Sequence, residues 1–393
     1  MKQILYFGGI VTENQQKVFS SENINTDIAA NNFQIKLLKG FVNNKISIIN
    51  TPFVNAKKIK KISSFGYEIN GINLNSLQYI YFPYLNSLVK YFTIKNHIKK
   101  INILNVDVVI FYSLNSYYTK LSKYIKKINK NIKIITIVPD LPCFMNVGVD
   151  RGLIFNFLKK LDRNIIEKTL IYTDLIVPFS KKMYTDYLNS FVKKYYVLNG
   201  IISSDNYDEH YFNYLKSKYK NRKIITYTGT LSTVYGVENL IKAMKYLPKE
   251  YLLMLCGAGD CVSYIKDHAK NICYLGMLKH DLVCSVLKCS DILVNPRTNE
   301  VEFDSYCFPS KNMEYLSVNK PIIVYKSKAF EKEFDEVFYY FDDAKPEGIA
   351  AKILEVMSEL PHCNKFQNME KMRDKLNSCN VVFNILEALK DSE

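Results

Sequence analysis

The chain has 393 residues, 48% of them hydrophobic and 23% charged, which fits a globular protein of two or three domains and excludes a disordered or collagen-like one. Its net charge of +15 suggests a nucleic-acid partner until it is divided along the chain. Residues 1–200 hold 28 Lys/Arg against 11 Asp/Glu, net +17, and residues 201–393 hold 25 against 27, net −2, so only the first half should face something anionic.

In chain order, short β-branched runs alternate with helix-period stretches. Strands are predicted at Ile4–Phe7, Ile46–Ile49, Val106–Phe111, Ile132–Val138, Leu175–Val177 and Tyr195–Leu198. Helices are predicted at Ala29–Gly40, Leu85–Lys99, Tyr117–Ile128, Ile154–Leu170 and Lys181–Phe191. Continuous apolar strands separated by helices indicate a parallel sheet covered on both faces. Asn199-Gly200 then opens a polar stretch, and 201–222 is expected to be an interdomain linker. The alternation restarts with strands at Ile224–Thr228, Tyr251–Cys256, Ile272–Leu275, Asp291–Val294, Pro321–Val324 and Phe338–Phe341. Helices follow at Gly236–Tyr246, Val262–Ala269, Asp281–Leu287, Lys311–Val318 and Pro346–Glu359, with a last one near Lys365–Leu389. The expectation is an α/β protein of two Rossmann-like, doubly wound domains, 1–200 and 223–364, facing a central cleft. The helix at about 365–390 is a candidate to pack back on the first domain.

Nine Cys, an odd number without a C-x-x-C pair, suggest buried reduced thiols and a reducing cytoplasm, with no zinc site. The apolar run before Gly8-Gly9 is too short for a signal peptide, and no stretch of about 18 uncharged apolar residues would span a bilayer. Membrane contact is therefore expected to be peripheral.

Ligands of open α/β sheets bind beyond the carboxyl ends of the strands, so the segments there are the ones to weigh. Tyr227-Thr228-Gly229-Thr230 ends a strand in a turn that could admit a phosphate, or could be an ordinary strand-to-helix turn. Gly257-Ala258-Gly259-Asp260 reads as a structural turn, with Asp260 as a helix cap. Gly276-Met277-Leu278 could form a flat slot for a nucleobase. The heaviest segment runs Asn295-Pro296-Arg297 and then Phe308-Pro309-Ser310-Lys311-Asn312-Met313-Glu314-Tyr315. Ser310 is the expected N-cap, and Lys311 with the helix amides suits a diphosphate. Arg297 offers a planar fork for phosphate oxygens. Glu314, one turn on from Lys311, is placed to accept from a ribose diol, or else pairs with Lys311 on the surface.

These residues, together with Tyr274-x-Gly276 and Lys320-Pro321-Ile322-Ile323, resemble the donor half of glycosyltransferase family 4 over roughly 220–330. That family has the GT-B fold, uses nucleotide sugars and retains the anomeric configuration. The resemblance implies that Glu314 is the second Glu of an E-x7-E motif and binds the donor ribose. The first Glu falls at Tyr306, so its contact with the sugar is either lost or supplied by Glu302 or Asp304. Where the family often has an Arg and a Lys for the diphosphate, this chain has Thr230 and Tyr235, which shifts that task to Arg297 and Lys311. In the first half Gly8-Gly9 resembles the family's first loop, Asn31-Asn32-Phe33 its acceptor-side helix, and Asp140 in Pro139-Asp140-Leu141-Pro142 a polar residue near the reacting sugar, or else a helix-capping Asp in a Pro-rich turn.

The resemblance implies catalytic roles for Asp140, Arg297 and Lys311. It implies donor contacts from Gly229, Thr230, Gly276, Met277, Arg297, Ser310, Lys311 and Glu314, and acceptor contacts from Gly8, Gly9, Asn32 and Asp140. No cofactor or metal is expected, because no Asp-x-Asp follows a strand and two cations can neutralise the leaving diphosphate. The basic half then fits a lipid-linked acceptor at an anionic membrane surface, in the making of capsule, O-antigen or exopolysaccharide. A GT-B-type nucleotide-sugar epimerase and a non-catalytic paralogue are the alternatives. A nucleic-acid-binding protein is disfavoured, since the basic half holds no recognisable module.

Overall fold

The computed structural model describes residues 2–142, 153–203, 206–267, 271–298, 305–306, 308–359 and 365–390. They form two compact units, Met1–Ile201 with Ser378–Glu393, and Ile202–Asn377.

The sheet of the first unit contains β1 (Gln3–Gly8), β2 (Lys45–Asn50), β3 (Gly66–Ile69), β4 (Ile72–Ser76), β5 (Val108–Tyr112), β6 (Lys133–Val138) and β7 (Leu175–Pro178). Its order is β7-β6-β5-β1-β2-β4-β3. All pairs are parallel except β3–β4, a hairpin whose turn residues Asn70 and Gly71 both have positive φ, the conformation that continues the strand twist. Every residue of β5 is buried, as expected of a strand covered on both faces. The helices are α1 (Glu13–Ser21), α2 (Ile28–Leu38), α3 (Asn86–Ile98), α4 (Ser116–Ile128), α5 (Leu153–Thr169) and α6 (Lys181–Asp186). Thr12, Asp27 and Ser180 cap α1, α2 and α6 with side-chain oxygens on backbone amides.

The second unit contains β8 (Lys223–Thr228), β9 (Tyr251–Cys256), β10 (Ile272–Gly276), β11 (Ile292–Asn295), β12 (Ile322–Val324) and β13 (Tyr339–Tyr340), all parallel, in the order β10-β9-β8-β11-β12-β13. Alternate residues feed two cores. Ile225, Tyr227, Leu253 and Leu255 face one side, and Ile224, Leu252, Met254 and Cys256 the other. The helices are α7 (Glu209–Lys218), α8 (Val237–Ala243), α9 (Cys261–Asp267), α10 (His280–Cys289), α11 (Ser310–Leu316), α12 (Pro346–Glu359) and α13 (Lys365–Lys375). In both sheets the chain winds outward in two directions from a central pair, β1/β5 and β8/β11. The switch points lie there.

Three expectations are corrected. Residues 201–222 are not a featureless linker: Leu215 of α7 packs with Ile224, Leu252 and Met254, making the segment part of the second unit. Tyr195–Leu198 is not a strand of the sheet but a single bridge, Ile176 to Tyr195. The final helix is two: α13 stays with the second unit, while α14 (Ser378–Ala388) returns to the first. A Cβ on Gly40 would fall 2.0 Å from the Ser378 carbonyl oxygen, so glycine lets α14 begin against the end of α2.

Cys256, Cys261 and Cys284 are buried, and burial pushes the Cys256 thiol up to about 12; Cys379 is exposed. Among the described residues no helix is long and apolar enough to cross a membrane.

Candidate active site

The switch point of the second unit is flanked by the turn after β8 and the loop after β11. Gly229 has φ +121, and a Cβ there would lie 2.0 Å from Cε and 2.3 Å from Nζ of Lys311. The space that glycine leaves is therefore filled by this lysine, reaching back from α11 across the end of β8. Lys311 Nζ lies 5.0 Å from the Tyr227 ring centroid and 5.7 Å from that of Tyr235, and the Arg297 guanidinium stands 4.9 Å from the Tyr235 ring. Tyr235 thus contacts both cations, and its ring face favours each of them. Burial lowers Lys311 from the usual lysine range to about 8; Glu314 works against that shift and Arg297 adds to it.

The floor is rigid. The Tyr227 hydroxyl donates to the Thr230 carbonyl at 2.9 Å, and the amide of Thr228 donates to the hydroxyl of buried Tyr315 at 3.0 Å. Asn295, at the end of β11, donates to Asn312 of α11 at 2.8 Å. Two buried polar atoms here, Thr228 Oγ1 and Asn312 Nδ2, lack a hydrogen-bond partner, as unpaired groups often do where a protein keeps a functional surface.

The remaining donor-side expectations are placed unequally. Thr230 is exposed at the mouth of the turn. Gly276 has φ +68 with open space around its missing Cβ, and Met277 is 78% exposed, while neighbouring Leu278 packs into the core. Ser310 is not the N-cap: Pro309 occupies that position with extended backbone and no side-chain hydrogen bond, and α11 begins at an exposed Ser310. With only seven residues, α11 carries few aligned peptide dipoles, so the local charge comes chiefly from Lys311 and Arg297. Glu314 is half-buried near Lys311, and among the described residues none hydrogen-bonds to its carboxylate. The carboxylate of Asp260, the residue before α9, accepts from the Thr233 hydroxyl at 2.9 Å. Tyr306 is buried, and Glu302 and Asp304 lie outside the described residues.

In the first unit Gly8 ends β1 and Gly9 follows it, and both are required by packing. Cβ atoms there would meet Gln34 Oε1 at 2.4 Å and the Phe53 ring at 2.1 Å. The amides of the loop are already taken: Gly9 donates to Gln34 Oε1, Ile10 to Asn50 Oδ1 and Val11 to Asn31 Oδ1, at 3.0, 2.7 and 2.7 Å. Asn32 is exposed on α2, whereas Asn31 and Gln34 point inward. Asp140 follows β6 in a half-buried bend, close enough to the buried Tyr112 hydroxyl to help raise it, after burial and Asp27. Lys90 of α3 was missed by sequence reasoning. It is fully buried, donates to the Thr51 and Pro52 carbonyls at 3.2 and 2.8 Å, and lies 5.2–5.7 Å from the rings of Phe53, Tyr79 and Tyr117. Its position four residues before Ile94, in the buried stripe of α3, was the available signal.

Residues 215–373, which include every donor-side residue above, match the family described as "Glycosyl transferases group 1". The match lies wholly within the second unit. No curated protein sequence matches the chain. Solved structures do match in fold. Sucrose-phosphate synthase from Thermosynechococcus elongatus aligns with a TM-score of 0.64 at 11% identity, covering 100% of both chains. The Anabaena protein HepE in complex with UDP aligns at 0.63 and 12%, covering 99% of this chain and 100% of that one. An α,α-trehalose-phosphate synthase (UDP-forming) from Burkholderia xenovorans, in complex with glucose 6-phosphate, aligns at 0.63 and 8% with the same coverage. The chain therefore shares the GT-B fold of these solved structures.

Proposed function

We propose that the chain is a retaining glycosyltransferase that moves a sugar from a nucleotide diphosphate sugar to a growing, lipid-linked surface glycan. The observation that carries the donor half is the pair of cations around Tyr235, with Lys311 in the space left by Gly229. As the bond to the donor sugar breaks, its electron pair and a developing negative charge pass to the diphosphate. Two preorganised cations beside a half-buried floor stabilise that charge more than water does. Glu314 is the group for the ribose diol, Gly276 and Met277 border the base, and Asp140 is the polar contact for the sugar or acceptor. No metal is called for in this reading.

The acceptor half rests on charge: the first 200 residues carry the +17 excess, suited to a phosphorylated acceptor at the inner face of the cytoplasmic membrane. UDP heads the donor candidates because UDP is named with HepE.

A thermal-shift panel of UDP, GDP and ADP with their sugars tests the donor reading. A ligand at 100 times its Kd should add about 2.7 kcal/mol. Stabilisation by none of them overturns it. Turnover of a nucleotide sugar to its epimer without any acceptor would replace the transferase with the epimerase.

A further inference from the structure

The first unit holds a concave region that starts just beyond the end of β5 and is not used above. A groove of about 1490 Å³ runs between the outer face of α5, the start of α4, the approach to α3 and the segment around Lys57. Six cationic side chains line it, Lys57, Lys58, Lys60, Lys120, Lys159 and Arg163, against the two carboxylates Glu22 and Asp162. Asp162 is already held by a hydrogen bond from Ser116, and Arg163 by Glu167 at 2.8 Å. Among the described residues Lys57, Lys58 and Lys60 have no ion-pair partner.

A solvated basic surface would be polar throughout, and this one is not. Tyr84, Leu85 and Leu88 on one bank are 63%, 52% and 47% exposed, and Phe92 continues the same face of α3. Leu85, Leu88 and Phe92 follow the spacing of one helix face, opposite buried Lys90, Ile94 and Ile98. Across the groove α5 contributes Leu158 and an exposed Leu161, about one turn apart. Tyr84 has φ +67, a strained conformation for a tyrosine, and holds its ring at the rim. Contiguous exposed apolar side chains on both banks, with lysines between them, match a ligand that is an anion at one end and a hydrocarbon at the other.

We propose that this groove binds the phosphate group and the adjoining hydrocarbon chain of a long-chain lipid phosphate, the carrier end of the acceptor. The inference rests on the reading above that the acceptor is lipid-linked. The lysines neutralise the phosphate, and Tyr84, Leu85 and Leu88 cover the first carbons of the chain.

The test is calorimetric titration of the whole protein with farnesyl diphosphate, farnesol, inorganic diphosphate and glucose 6-phosphate. Farnesyl diphosphate should bind at least about tenfold more tightly than any of the others, since both ends contribute. L85D/L88D, and separately K57E/K58E/K60E, should weaken it about tenfold or more while leaving nucleotide-dependent stabilisation intact, which also shows that the variants fold. K311M should leave it unchanged. Inorganic diphosphate or glucose 6-phosphate binding as tightly as farnesyl diphosphate would overturn the proposal in favour of a plain phosphate site. Loss of binding in K311M would place the lipid in the donor site and overturn it too. Capture by phosphatidylglycerol vesicles without farnesyl diphosphate binding would make the surface a membrane-docking face instead. Absence of any nucleotide effect, with farnesyl diphosphate still held by this groove, would sink the transferase reading alone.

Discussion

Each unit sets a lysine against aromatic rings just beyond the end of a strand, Lys90 beyond β2 and Lys311 beyond β8, and the two lysines have opposite uses. Lys90 is closed in: two carbonyls take its protons, three rings surround it, and burial lowers it to about 7. Lys311 is left with Tyr227, Tyr235 and a neighbouring guanidinium, and stays near 8. The glycines above them differ in the same way. Gly8 and Gly9 make room for Gln34 and Phe53, and Gly229 for the ammonium itself. A glycine after a strand therefore says that something comes close. What comes close decides whether the place is a joint or a site.

The contrast can be broken most directly at Lys311. K311M should weaken nucleoside-diphosphate binding by about 10- to 100-fold, the loss of a charge-assisted contact, read by calorimetry. Unchanged affinity would show that the donor phosphates sit elsewhere. G229A should come next, at about tenfold, because the new methyl group occupies the path of Lys311 in a backbone conformation alanine resists; unaltered binding would mean that the lysine does not need that path. Affinity should also fall as pH rises through about 8, where free Lys311 loses its proton, and the fall should be absent in K311R, whose side chain stays charged. A flat profile in the unmutated protein would count against Lys311 as the anion's partner. Y235L should cost about threefold, while Y235F should bind as the parent does, since the ring face and not the hydroxyl meets the cations. Lys90 gives the smallest effect and the opposite readout. Its folded value lies below the ordinary lysine range, so the unfolded chain binds more protons between about pH 7 and 10, and the contribution of this group to stability rises with pH across that window. K90M should flatten that rise in thermal melts without changing nucleotide affinity.

The alternation of strands and helices was legible because most of the buried parallel strands are short apolar runs, such as Tyr251–Cys256 and Ile322–Val324. The ribbons Asn25–Thr26 with Val54–Asn55, and Lys60–Ile62 with Tyr79–Tyr81, were not, because two or three residues show no period. Polar α7 was hidden for a related reason: Leu215 is its one fully buried side chain. Of the candidate site, Arg297 and Lys311 could be chosen from residue type and position, but their joint contact with Tyr235 could not. That residue stood out only as a departure from a pattern. Ser310 looked like a cap by type, yet Pro309 before it fixes the backbone of the helix start. The roles of Asn31, Gln34 and Asn50 depend on long-range partners, up to 40 residues apart, that local sequence does not register.

The return of α14 to the first unit means that this unit is built from both ends of the chain. During synthesis its sheet emerges first, yet the surface around Gly40 waits for its covering helix until residues 378–388 have been made. The second unit can close in the meantime as an uninterrupted segment. A ribosome-bound chain should thus present a finished second unit while the first is still incomplete, and severing the polypeptide near residue 201 would leave the first unit short of one of its own walls.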